Sequence, residues 1–424
     1  MQLQITEKDF TKSNSYKLSQ CRLCKNNRLK KIINLGNTPP ANSFLNKTQI
    51  NKFEPFFPLH VNFCPVCRQL QLSHVVSPDI LFRDYVYVSS TSPVFIKHFE
   101  DYAKDTAKAI NLKRGALVVD IGSNDGILLK PFKKLGMRVV GVDPATKIAQ
   151  KVTKEGIKTY PDYLTEALAE KIVKKHGQAL AITANNVFAH VDNLDQLTKA
   201  AKILLNKEGV FIIEAPYLIV LLQKNLFDTI YHEHLSYLSL KPLVGFFKNH
   251  GMKIIDVWET GSHGGSIRVF VSKVESKRKI NPSVKKLLKK EEKLGLDNLD
   301  TYIKFANRIK QNKKELTALL KALKKKGVKI AGFGAPAKGN TLLNYFKIGN
   351  ETLDYIVDDS TYKQSLLTPG THIPVVSPKI LEKDKPDYIF ILAWNFAQPI
   401  MEKLTKFKAD GGRFIIPVPK PHII

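Results

Sequence analysis

Short apolar runs alternate with amphipathic stretches through the middle of the chain. Ala116 to Asp120, Arg138 to Asp143, Leu180 to Asn185 and Gly209 to Glu214 read as strands, and Thr146 to Glu155, Leu164 to His176 and Leu194 to Leu205 as the helices between them. That rhythm predicts a parallel sheet covered by helices. A further strand pair is expected around Met252 to Glu259 and Ser266 to Val274. After a lysine-rich helical connector from about Pro282 to Lys326 the alternation resumes, with strands before Gly332, in "LDYIVDDS", in Pro386 to Phe396 and in Gly411 to Pro421. The first 80 residues lack this pattern and carry a turn-rich insert, "LGNTPPANSFL", from Leu35 to Leu45. Between that lobe and the first strand, "DYVYVSSTSPVF" predicts a loop running into a helix from Pro93 to Leu112, with Ser92 as its cap. The predicted fold class is α/β: an N-terminal lobe (1–80), a Rossmann-like domain (81–275), a helical connector (276–326) and a second, C-terminal Rossmann-like domain (327–424).

Composition narrows this picture only in places. A chain of 424 residues is too long for one ordinary core. Hydrophobic content of 43% and a mean hydropathy of -0.17 describe a soluble protein, and no apolar stretch approaches the roughly 18 residues of a membrane span. The opening MQLQITEKDF lacks a basic flank followed by an apolar segment, so a cytoplasmic location without a signal peptide is expected. The balance of 66 Lys+Arg against 38 Asp+Glu, net +28, would suit nucleic acid, acidic membrane or phosphorylated substrates. The lysines are scattered over helix faces and no nucleic-acid motif accompanies them. A solvated basic surface is the expectation, with no nucleic-acid partner, no membrane insertion and no obligate protein partner.

The cysteines carry more. Cys21, Cys24, Cys64 and Cys67 form two C-x-x-C pairs, "CRLC" and "CPVC", and no other cysteine follows. Two such knuckles place four thiolates where a tetrahedral zinc can take them all, and four protein ligands leave no open position for catalysis. Two disulfides, or an iron–sulfur or redox site, are the alternatives. The first fits poorly with a reducing compartment.

The run "DIGSNDG", Asp120 to Gly126, follows the first strand, and Asp143 ends the second. Gly122 and Gly126 let backbone approach a ligand and expose helix N-terminal N–H groups to an anionic tail. The spacing is not the G-x-G-x-x-G of dinucleotide sites. Asp143 is placed to accept hydrogen bonds from a ribose. A ribose without a pyrophosphate, with a carboxylate near the glycines, describes S-adenosylmethionine and a class I methyltransferase domain, another nucleotide being the alternative. Asp120, Gly122, Asn124, Gly126, Asp143 and Asn186 are the candidate cofactor-binding residues.

Two runs then bring chemistry to strand ends. "NNVFAH" sets His190 beyond the third strand, and "YHEHLSYLS" packs Tyr231, His232, Glu233 and His234 into consecutive positions. Such a cluster suits a core poorly, since unpaired buried polar groups are costly. Acid–base work is the favoured reading, because imidazole titrates near neutral pH. A metal site and a merely polar loop are its rivals, the first weakened by the lack of an i, i+4 histidine pair. Later, "GFGAPAKGN" formally satisfies G-x-G-x-x-A, but the acidic pair Asp358 and Asp359 lies farther on than the roughly 20 residues usual for a ribose carboxylate. A loop holding substrate phosphates, with Lys338 adding charge and Asn340 and Asn395 nearby, is the alternative to a dinucleotide site or a domain that only packs.

The ordered set CRLC, CPVC, DYVYVSS, DIGSNDG, NNVFAH, YHEHLSYLS, SHGGSIRV, GFGAPAKGNTLLNY, TPGTHIPV, AWNF and FIIPVP, from Cys21 to Pro419, resembles the S-adenosylmethionine-dependent sugar C-methyltransferase family. The resemblance implies a zinc-binding lobe, a methyltransferase domain and a C-terminal Rossmann-like domain without redox cofactor. It also implies methylation at C3 of a nucleotide-linked 4-keto-6-deoxy hexose. Removing the proton beside a ketone gives an enolate, which needs a base and groups that hold negative charge. On that reading His234 is the leading base, with His232 as the alternative, and Glu233 orients the base or the sugar. Tyr231, His190 and Tyr85 bind the hydroxyl and oxyanion, and His263, Lys338, Asn340 and Asn395 contact substrate.

Overall fold

The computed structural model describes residues 13–82 and 93–424. In the N-terminal lobe β1 (Ser15–Lys17) pairs with β5 (His74–Val76), while β2 (Lys30–Thr38), β3 (Phe57–Phe63) and β4 (Leu70–Leu72) form an antiparallel meander. The two knuckles are geometric twins. Lys25 and Arg68, each following the second cysteine of its pair, take positive φ of 60° and 73°, and their N–H groups return to the Cys21 and Cys64 carbonyls.

The central sheet is built from β6 (Leu117–Ile121), β7 (Arg138–Val142), β8 (Thr159–Tyr160), β9 (Ala179–Asn185), β10 (Leu205–Pro216), β12 (Met252–Thr260) and β13 (Ser266–Lys273). Its order is β12-β13-β10-β9-β6-β7-β8. Strands β6 to β10 pair in parallel and β13 runs antiparallel to both of its neighbours. The chain leaves β6 toward β7 and β8, then returns to lay β9 on the other side. That reversal opens a crevice beyond the strand ends, where doubly wound sheets bind ligands. One strand of this sheet starts well before its expected position. The last strand before the hairpin starts at Leu205, not Gly209, with a register break between Leu205 and Val210. Gly209 occupies the break because a Cβ there would sit 2.7 Å from the Ala179 carbonyl.

A short strand, β11 (Ser236–Tyr237), leaves the central domain and pairs with β4, Ser236 against Gln71 and Tyr237 against Leu70. It completes a four-stranded sheet of the N-terminal lobe. The segment that follows the Tyr231 to His234 cluster is thereby a strand of the cysteine-bearing lobe, which sequence periodicity did not indicate.

The connector is two helices, Pro282–Lys293 and Leu299–Lys325, interrupted where Gly295 takes φ +71°. The longer one buries Tyr302, Phe305, Ile309, Leu316 and Leu320, a 3.6-residue stripe, and tilts Tyr302 onto Phe63 of the N-terminal lobe at 5.0 Å between ring centres. The C-terminal sheet comprises β14 (Ile330–Phe333), β15 (Ile356–Val357), β16 (Val375–Val376), β17 (Tyr388–Ile391), β18 (Arg413–Ile416) and β19 (His422–Ile423) in the order β16-β15-β14-β17-β18-β19. All pairs are parallel except β18 with β19, so it is a second doubly wound sheet. One apolar cluster joins residues of all four sheets. Among the described residues no helix is long and apolar enough to cross a membrane.

Candidate active site

The Sγ atoms of Cys21, Cys24, Cys64 and Cys67 lie within 4.8 Å of one another, with Cys21 to Cys67 at 3.4 Å and Cys24 to Cys64 at 3.6 Å. A tetrahedral zinc with bonds of about 2.3 Å separates its sulfurs by roughly 3.8 Å, so the four thiolates fit that ion. All four are free cysteines, which sets the disulfide alternative aside.

A cavity of about 670 Å³ opens at the crevice beyond β6, β7 and β9 and reaches across to the C-terminal domain. Its first wall carries Asp120, Gly122, Asn124, Asp143 and Asn186. Gly122 has φ +67°, and a Cβ there would meet Val187 Cγ2 at 2.3 Å, so only glycine lets the turn lie this close. Asp143 accepts the Asn124 N–H at 2.7 Å and the Ala145 N–H at 2.9 Å. Asp120 accepts the Thr183 hydroxyl at 2.6 Å, and burial pushes its carboxyl up to about 7 against that bond. The Ser123 hydroxyl, buried on the same wall, has no protein partner. A glycine cradle, a strand-end carboxylate and an orphaned hydroxyl fit the aminoacyl and ribose parts of S-adenosylmethionine. Gly126, at φ +75°, shapes the turn from outside the cavity lining.

The second wall gathers His190, Tyr231, Glu233 and His234. The His234 ring lies 4.1 Å from that of Tyr231 and 4.9 Å from that of His190. His234 Nδ1 stands 2.7 Å from the Thr229 carbonyl oxygen, which can only accept, so Nδ1 carries the hydrogen and the neutral ring keeps its lone pair on Nε2. Burial pushes His190 down to about 4, leaving it a neutral imidazole at physiological pH. Glu233 is buried and pushed up to about 7, with a hydrogen bond from Asn42 Nδ2 at 2.7 Å acting the other way. His232 turns from the cavity into the N-terminal lobe, where Nε2 donates to the Phe57 carbonyl at 3.2 Å and the ring meets the Phe57 ring edge-on. The two histidines of this turn thus point to different places, His232 into the lobe and His234 to the cavity wall.

The third wall belongs to the C-terminal domain, with Lys338 and Asn395. Lys338 opens the helix Ala337–Phe346, and its Nζ is buried without a hydrogen-bond partner, 5.1 Å from the Trp394 ring centre. Burial lowers its ammonium from the ordinary range. Asn340 lies outside the lining and donates to the Ala41 carbonyl at 2.8 Å, tying this domain to the turn-rich insert. Asp358 accepts the Ala335 N–H at 2.7 Å behind the second glycine turn, repeating the Asp143 arrangement. Tyr85 lies outside the described residues, as does the side chain of His263, whose backbone sits in the turn Ser262–Gly264.

Asn42 was not singled out by the sequence: it lies in a proline-rich insert far from the other motifs, and only the fold brings it to Glu233. Lys363, which lines the cavity and donates to the Ala335 carbonyl at 2.9 Å, was hidden in an unpatterned loop. Beneath the site Glu214 accepts from Arg268 at 2.7 Å and from His98 and Ser262 at 2.8 Å. Burial would raise this carboxyl, but the His98 bond and the Arg268 charge outweigh it and hold it at about 2.

The sheet order and its ligand crevice define a class I S-adenosylmethionine-dependent methyltransferase. Family models match in the order the fold shows: a zinc binding domain over residues 21–82, a methyltransferase domain over 95–257 and a C-methyltransferase C-terminal domain over 261–419. C-methyltransferase NovU of Streptomyces niveus is 36% identical over 407 residues, 96% of this chain and 97% of that protein. The chain belongs to this C-methyltransferase family. A ubiquinone biosynthesis O-methyltransferase of Colwellia psychrerythraea is 22% identical over 42% of this chain and 78% of its own length. Magnesium protoporphyrin IX methyltransferase of Synechocystis PCC 6803, solved with bound S-adenosylmethionine, superposes at a TM-score of 0.32 with 12% identity, over 42% of this chain and 81% of its own.

Proposed function

We propose that the chain methylates C3 of a nucleotide-linked 4-keto-6-deoxy hexose through an enolate, with His234 as the base. The observation that carries this reading is the tautomer fixed on His234: with Nδ1 donating to the Thr229 carbonyl, the basic Nε2 belongs to a ring on the cavity wall. A hydroxyl or amine acceptor already holds a lone pair, whereas carbon must first lose a proton. Bound S-adenosylmethionine supplies an electrophilic methyl group on a sulfonium, and the chain's task is to make the nucleophile and align it.

His234 takes the C3 proton while neutral His190 and Tyr231 donate hydrogen bonds to the oxygen that becomes negative. Glu233, poised near 7, can share a proton with a sugar hydroxyl or hold the base in place. Lys338, in the first turn of its helix, lines the cavity, where it can bind a phosphate, and Asn395 lines the same cavity. Asp120, Gly122, Asn124, Asp143 and Asn186 hold the methyl donor, with Gly126 shaping the turn that presents them. His263 and Tyr85 remain part of the proposed substrate surroundings from the family resemblance. The basic net charge favours a diphosphate-bearing substrate, and the protein works in the cytoplasm without a nucleic-acid or obligate protein partner.

Incubating the protein and S-adenosylmethionine with a panel of 4-keto-6-deoxy sugar nucleotides tests this reading. A mass gain of one methyl group on the sugar, located on carbon by NMR, is the expected result. Transfer to a hydroxyl or an amine, or to none of the panel, contradicts it.

A further inference from the structure

Arg22 lies between two zinc-ligand candidates, Cys21 and Cys24, yet its side chain does not point toward the thiolates. It is 2% exposed and runs the other way, into the seam between the N-terminal lobe and the central domain. Its Nε donates to Asp192 Oδ1 at 3.0 Å, two residues beyond His190. Its Nη1 donates to the carbonyls of Leu72, at 2.9 Å, and of Leu235, at 3.2 Å, the residue immediately after His234. Leu235 also accepts the Leu72 N–H at 2.9 Å, so β4 and the guanidinium together clamp the exit of the histidine turn.

The near end of the side chain is fixed as firmly. The Arg22 N–H donates to Gln71 Oε1 at 2.8 Å, and Gln71 Nε2 returns to the Gln20 carbonyl at 3.0 Å. Burying a guanidinium costs several kcal/mol unless it is well paired. A surface knuckle would need no such group, and a merely structural tie would need no charge. One rigid planar group here joins the knuckle to the Asp192 carboxylate, two residues past His190, and to the Leu235 carbonyl, next to His234.

We propose that Arg22 is a positioning residue, which transmits the metal-fixed geometry of the knuckle to His190 and His234. The zinc-binding lobe on this view is more than a folding aid: it sets the spacing of the groups that make and stabilise the carbanion. The inference rests on the reading of those two histidines as the reacting pair. A shift of about 1 Å in either ring is enough to cost orders of magnitude in rate, so the loss of this fork should be felt in kcat.

The test uses the full-length, zinc-loaded protein with Arg22→Gln and Arg22→Lys, and reads the histidine imidazoles by two-dimensional proton–nitrogen NMR. For Arg22→Gln we expect full zinc content and S-adenosylhomocysteine affinity within about threefold of the parent, but displaced His190 and His234 signals. Methyl transfer should fall about tenfold or more in kcat with little change in KM, and Arg22→Lys should restore part of both. Unmoved histidine signals would overturn the proposal, as would zinc lost in proportion to activity. If Arg22→Gln does not fold, Arg22→Lys decides alone, since it keeps the buried charge but cannot fork: histidine signals identical to the parent's would overturn the proposal. Should the parent methylate no keto-sugar, that failure falls on the proposed function, while the imidazole spectra still decide Arg22.

Discussion

Asn42 Nδ2 donates to Glu233 Oε1 at 2.7 Å, joining the turn-rich insert of the zinc-binding lobe to the loop that carries His234. Burial raises Glu233 and this bond opposes it. Asn42→Ala should therefore raise the Glu233 carboxyl further above 7 and move the acid limb of the kcat/KM profile to higher pH. A pH–rate profile checks it: an unmoved limb would show that Glu233 does not govern the rate.

Glu233 also fixes the sign of a stability effect. Its carboxyl is raised from 4.5 to about 7 on folding, so the stability it contributes is fully present below 4.5 and lost as pH rises through 7. Glu233→Gln removes that loss. Parent and variant should be close in urea unfolding at pH 5, while at pH 8 the variant should be more stable by on the order of 3 kcal/mol. A pH-independent difference contradicts the assignment of a raised, buried carboxyl.

The cofactor wall makes a prediction of its own. Asp143→Ala removes the acceptor of two backbone N–H groups and, on the proposed assignment, of the ribose, so S-adenosylhomocysteine should bind about ten- to a hundredfold more weakly in calorimetry. Gly122→Ala should weaken binding as well, because its Cβ would collide with Val187.

Zinc and the substrate end separate by a different readout. Cys64→Ser should lose zinc and destabilise the N-terminal lobe, abolishing methyl transfer through Asn42 and β11, while the central sheet still binds S-adenosylhomocysteine. Lys338→Met should raise the KM for a diphosphate-bearing substrate about tenfold or more and leave S-adenosylhomocysteine affinity unchanged. Equal effects on both ligands would place Lys338 in the cofactor site.

What could be read in advance follows from the range of the interactions. The knuckles, the DIGSNDG turn and the strand-end carboxylate Asp143 are local patterns, visible because their chemistry depends on residues a few positions apart. The alternation of short apolar runs with amphipathic stretches likewise pointed to both Rossmann-like sheets. The β11 to β4 pairing, the Asn42 bond and the Arg22 bonds to Asp192 and Leu235 join residues 160 or more positions apart, and no local pattern encodes them. The break in the connector was missed because a lone Gly295 inside a lysine-rich stripe leaves the hydrophobic period almost intact. His232 and His234 were indistinguishable by composition: only the turn's direction sends one toward Phe57 and the other to the cavity wall.

The central claim is that a carbanion forms next to a carbonyl and that His234 makes it. Its most direct test is deuterium exchange at C3 of a 4-keto-6-deoxy sugar nucleotide in heavy water, with S-adenosylhomocysteine in place of the methyl donor so that exchange is seen apart from transfer. The account predicts enzyme-dependent exchange in the parent and none above background in His234→Ala, with S-adenosylhomocysteine binding intact in both. Exchange at the parental rate in His234→Ala, or methyl transfer without any exchange by the parent, would contradict it.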